Sequence, residues 1–178
     1  MLPIILAILQ PLAIVTIAMG IAIVLMLSMA VTNPSVPQVQ DGSLSIALAL
    51  PAAASTTVTS ATGIDTGVTT ADANQPGDVD FLLTAPALNA TQLPNTYTVT
   101  YAVICSASSN MGTPTTIFPA CLVQTGAGGV GAAAATFRFR LPSQLPGGTG
   151  MRYVGYTATT SASTGNCSAA SATMQVLV

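Results

Sequence analysis

Residues 96–105 read TYTVTYAVIC. Tyr97, Val99, Tyr101, Val103 and Cys105 share one face of a period-2 pattern, and Thr96, Thr98 and Thr100 share the other. Alternation of aromatic and β-branched residues against threonine is the mark of a strand with one buried face. The same pattern recurs on both sides of this segment. Leu44, Ile46, Leu48 and Leu50 alternate with small residues, and Val79, Phe81 and Leu83 alternate with Asp78, Asp80 and Leu82. Phe137, Phe139 and Leu141 oppose Thr136, Arg138 and Arg140, and Ala172, Met174, Val176 and Val178 form a last stripe. Weaker strands are predicted near 55–61, 115–123 and 151–160. Turn clusters separate them: Gln75-Pro76-Gly77, Leu93-Pro94-Asn95, Gly126 to Gly131 and Pro146 to Gly150. About eight short strands after residue 42 predict a mainly β domain, an antiparallel two-sheet sandwich of Ig-like or jelly-roll type, over 43–178. The Ala/Thr/Ser/Gly-rich stretch 51–75 reads equally as an extended arm.

The opposite pattern precedes this domain. Residues 1–40 contain no charged side chain, and 2–31 is nearly unbroken hydrocarbon. As a helix, the 19 residues from Leu12 to Ala30 would span roughly 28 Å, close to the ~30 Å hydrocarbon core of a bilayer. The expectation is one transmembrane helix within an anchor unit 1–32, its lipid-facing and packing residues including Leu12, Ile17, Gly20, Ile21, Val24 and Leu27. Gly20, between Ala18 and Ala22, would permit close approach of a second helix. A cleaved secretory signal is the rival reading, but no Lys or Arg precedes the run and the run is long for one. Burial among copies in a filament is another. Asn33-Pro34-Ser35-Val36-Pro37 reads as part of a linker over 33–42.

Composition bounds the chemistry. The chain of 178 residues has five Asp, three Arg, and no Glu, Lys, His or Trp. Charged residues make up 4%, against about 25% in an ordinary soluble domain. So uncharged a surface suits a subunit packed among partners. A net charge of −2 argues against nucleic acid, which is bound by clustered cations. A Ser or Cys nucleophile finds no His to act as base, and no Lys is present for a Schiff base. Asp78 and Asp80 lie two apart on one strand face, a solvated pair or, with Asp72, oxygen ligands for calcium. The run GAGGVG at 126–131 lacks a following Lys-Ser/Thr and reads as a loop between strands, not a phosphate cradle. The expectation is therefore no catalysis, no cofactor, no metal and no small-molecule substrate. Sequons at Asn89-Ala90-Thr91 and Asn166-Cys167-Ser168 matter only in a glycosylating pathway.

Charge and cysteine placement leave alternatives open. Every acid lies between Asp41 and Asp80 and every base between Arg138 and Arg152. Cross-strand pairing within one sheet is the plain account, worth under ~1 kcal/mol per exposed pair. The sharper one is a subunit interface in which Asp78 and Asp80 of one copy meet Arg138, Arg140 and Arg152 of its neighbour. Cys105 and Cys121 fall on neighbouring predicted strands, so a disulfide between them is one reading. Unpaired small thiols, or an intermolecular link through Cys167, are the others.

One resemblance follows from residues 80–178. The segments TAPALNATQLPNTYTVTY, LVQTGAGGVGAAAATFRFRLPS and RYVGYTATTSASTGNCSAASATMQVLV resemble small β-sandwich structural proteins of bacteriophage heads, including capsid-associated cement or decoration proteins. The resemblance implies a virion role without catalysis or cofactor. Joined to the apolar run, it leads to the expectation of a capsid or cement subunit anchored in an internal viral membrane, with the bilayer, copies of itself or a major capsid protein as partners. A pilin-like extracellular filament subunit, its helices bundled in the core, is the alternative. A membrane-anchored surface domain is a third reading, which leaves the scarcity of charge unexplained.

Overall fold

Alternation of buried and exposed side chains runs through the chain wherever the sequence alternates large with small or polar. Leu44, Ile46 and Leu48 face the interior while Ser45, Ala47 and Ala49 face out. A computed structural model describes residues 40–67, 79–142, 144–147 and 150–177. The chain divides after Gln38, and this described part belongs to the second unit. It holds nine strands: β1 Gln40–Ala49, β2 Thr57–Thr59, β3 Ile64–Asp65, β4 Asp80–Ala85, β5 Thr98–Ser106, β6 Thr115–Thr125, β7 Ala135–Arg140, β8 Tyr153–Thr160 and β9 Ser171–Leu177. β1 begins at Gln40, inside the stretch expected as linker.

The strands form two antiparallel sheets. One has the order β1-β9-β4-β7; the other has β2-β8-β5-β6, with β3 continuing the β2 edge along β8. Taking β2 and β3 as two pieces of one strand, only β5–β6 is a hairpin within a sheet. Every other connection passes from one sheet to the other. This interlocked pattern is the jelly roll, and it decides between the two sandwich types left open by the strand pattern.

The expectation of a sandwich preceded by a transmembrane helix is corrected. The described chain contains no helix, and no helix among the described residues is long and apolar enough to cross a membrane. The physical reason is local: from Gln40 onward, apolar residues recur with period 2 and are cut by Pro and Gly, so no segment has a helical stripe. The expected anchor residues Leu12, Ile17, Gly20, Ile21, Val24 and Leu27 lie outside the described residues.

The core lies between the inner faces. Phe81, Leu83 and Ala85 of β4, with Ala172, Met174 and Val176 of β9, meet Val99, Tyr101, Val103 and Cys105 of β5 and Val154, Tyr156 and Ala158 of β8. Each buried Val, Leu, Phe or Met among them contributes about 1.5–3 kcal/mol. All four phenylalanines join one cluster. Phe81 stacks on Phe139 (centroids 5.3 Å apart), Phe139 on Phe137 (5.5 Å), and Phe118 of β6 meets Phe139 edge-on (5.4 Å). They fill the opening between the edge strands β6 and β7, where no further strand closes the sandwich. The Tyr156 hydroxyl donates to the Ala172 carbonyl at 2.6 Å, tying the two sheets together across the core.

Candidate functional site

Five of the eight charged residues, Asp65, Asp80, Arg138, Arg140 and Arg152, fall into two small clusters. Asp80 opens β4, an interior strand, and pairs in register with Arg140 of β7, with Arg138 two residues further along. Arg138 and Arg140 both donate to the Asp80 carboxylate, Arg138 through Nε (2.8 Å) and Nη2, Arg140 through Nε. Two guanidinium stems over one carboxylate leave Asp80 only 7% exposed, although it sits on the outer face of its sheet. The Arg140 and Arg138 hydrogen bonds hold its carboxyl below its ordinary value. In the other sheet, Asp65 of β3 accepts from Arg152, just before β8, through Nε (2.6 Å) and Nη2 (2.7 Å). Arg152 thereby lowers the Asp65 pKa, and its guanidinium carbon lies 5.7 Å from the Tyr153 ring centroid.

The structure thus brings Asp80 together with Arg138 and Arg140 within one chain, and places Arg152 apart from them on the other sheet with Asp65. Asp78 lies outside the described residues. Asp65 was not singled out by the sequence; the available signal was an acid flanked by turn residues at the end of a weak strand.

The disulfide considered between Cys105 and Cys121 is not made: all three cysteines are free. Register explains this. Cys105 lies opposite Thr115, while Tyr101 lies opposite Leu122, with an irregular register between them where Ala120 takes a positive φ of 47°. Cys121 is carried toward the start of β5, where its thiol meets the Tyr101 carbonyl at 3.4 Å. The Cys105 thiol instead meets the Pro146 carbonyl at 3.3 Å, and burial pushes its pKa up to about 11. Cys167 is fully buried, with its thiol 3.4 Å from the Gln92 carbonyl.

A polar site that the sequence reading missed is Gln124. It occupies an inward position of β6 and is 3% exposed. Its Oε1 accepts from the Tyr101 hydroxyl at 2.9 Å, and its Nε2 donates to the Pro86 and Ala133 carbonyls, each at 2.8 Å. One amide therefore fastens β5 and β6 to the connections leaving β4 and entering β7. The legible signal was a lone amide in the alternating register of Leu122.

These connections converge at one end. Ala49 leads into 50–56, Ala85 into 86–97, Thr125 into 126–134 and Thr160 into 161–170, and none of these four loops contains a charged residue. Three glycines let them interlock. A Cβ on Gly126 would fall 2.1 Å from the Pro94 carbonyl oxygen, one on Gly131 (φ +90°) 2.0 Å from that of Leu88, and one on Gly165 2.0 Å from that of Thr91. The expected glycine-rich loop is therefore a packing device, clamped further by Gly129 N donating to Asn95 Oδ1 at 2.8 Å. The described charged side chains belong to the opposite end and the middle of the sheets. There Asp80 and Leu177 are in register, as are Ser106 and Tyr153.

Among the described residues, no group of three His, Cys, Asp or Glu is gathered to hold a metal ion. No family model and no curated protein matches this chain. The likeness to phage-head proteins therefore stands on the quoted residues alone.

Proposed function

We propose that this chain is a non-enzymatic structural subunit of a virion, a capsid or cement element that packs against copies of itself or against a major capsid protein. The observation that carries the reading is the jelly-roll strand order, an architecture used by virus shells as well as by lectins and cupins. Fold alone does not select among those roles. The composition tips the choice: a lectin or cupin site draws on His, Glu or clustered acids, and this chain has neither His nor Glu. A chain with 4% charged residues also fits a molecule whose neighbours are fixed. The reading asks nothing of the segment before Gln40.

The test is to purify the full chain and image it by electron cryo-microscopy across a range of salt concentrations. Closed shells or ordered two-dimensional arrays of the sandwich support the proposal. Fibres would favour the filament subunit, and a dispersed monomer at every condition would reject a subunit that packs against copies of itself.

A further inference from the structure

We propose that the uncharged end of the sandwich is a self-association surface, on which Val130 of one copy seats in the loop groove of a second copy. This inference rests on the structural-subunit reading and names the surface that reading requires. Two large apolar side chains stand exposed among the described residues, Val130 at 77% and Val123 at 47%. Both belong to this end: Val123 is near the close of β6, and Val130 is at the tip of the loop that follows. Val130 borders an open groove of about 490 Å³, lined also by Ala87, Leu88, Gln92, Ala132 and Ala133. Projection and recess are thus neighbours on one surface.

Charge selects the occupant. An ordinary protein surface carries charges on about a quarter of its residues. Docking such a surface here would strip water from those charges with no counter-charge in any of the four loops to replace it. A second copy of the same end presents neither cost. It offers an uncharged surface, and a valine to fill an apolar recess. The end is also pre-organised. The 86–97 loop is gripped by glycines from both of its neighbours. Thr160 Oγ1 holds the 50–56 loop by donating to the Ala53 carbonyl at 2.8 Å. A surface already ordered before contact loses little conformational entropy on binding.

The experiment uses the full chain in two variants. Val130→Asp places a charge at the tip, on a side chain that is 77% exposed, so its melting temperature should equal that of the wild type. Sedimentation should show association weakened by at least about tenfold, the scale of burying one unpaired charge. Val130→Cys treated with a short bismaleimide should give a covalent dimer, whereas Thr59→Cys, exposed on β2, should not. If the wild type assembles while Val130→Asp assembles equally well, or Thr59→Cys cross-links as readily as Val130→Cys, this surface is overturned and the structural-subunit reading stands. If the wild type itself never associates, this surface is overturned as well.

Discussion

Gln124 illustrates how one side chain settles several backbone groups at once. A buried polar atom without a partner costs about 1–3 kcal/mol, and Gln124 partners a hydroxyl and two carbonyls. Gln124→Ala orphans all three and opens a cavity, so stability should fall by about 3–5 kcal/mol, read from urea unfolding midpoints. Tyr101→Phe removes only one of these bonds and should cost about 1–2 kcal/mol on the same measurement. Asp80 contributes to the acid limb of stability. Its carboxyl titrates below the ordinary 3.8 because Arg140 and Arg138 favour the ionised form. The unfolded chain therefore takes up the proton first as pH falls. The stabilisation is fully present above the unfolded value and is lost as pH drops through the folded one. Asp80→Asn should be less stable than wild type near neutrality, and the gap should close below about pH 3.8. A gap that stays constant with pH would mean that the two arginines do not act through the charge of Asp80.

Strands are the level at which the amino-acid pattern was most readable. Tyr97 to Cys105, Leu44 to Leu50 and Phe137 to Phe139 alternate because each strand has one face in the core, and a local period records that directly. Pairing is not local, so it left no such record. Nothing in Leu48 marks Ala172 as its partner more than 120 residues away. The cysteines show the same gap: adjacency of β5 and β6 was legible, but the register that sets Cys105 opposite Thr115 and Cys121 beside Tyr101 was not. The charge pattern was legible in part: Arg138 and Arg140, spaced by two on β7, reach Asp80 across the sheet. Loops carry their own constraint. Gly131 combines a positive φ with a contact that leaves no room for Cβ. Gly131→Ala should therefore destabilise by about 1–3 kcal/mol or more and loosen the 86–97 loop, seen as faster amide exchange at Leu88.

At the scale of the molecule, the charge and apolar exposure of the described residues are segregated to opposite ends of one sandwich. Ion pairs hold the end where β4 begins; uncharged loops cap the other. Contacts made through the uncharged end should persist as salt is raised, because screening acts only on charges. Contacts made through Asp80, Arg138 and Arg140 should weaken over the same range. A salt series of sedimentation profiles separates the two, and association that dissolves at high salt would move the interface to the ion-paired end.

The strand order also dictates when this domain becomes a domain. β9 lies between β1 and β4, and β8 lies between β5 and the β2–β3 edge. The last two described strands are interior members of both sheets. During synthesis, β1 waits with its hydrogen-bonding edge empty until some 130 further residues have emerged, since its ladder runs from Gln40 against Leu177 to Ala49 against Ser171. Closing such distant contacts is slow, and an unpaired apolar strand is exposed to the wrong partner meanwhile. A chain stopped at residue 170 should therefore remain protease-sensitive throughout, not merely lack a strand. The nascent form is thus the one that a crowded ribosome must keep apart from its neighbours.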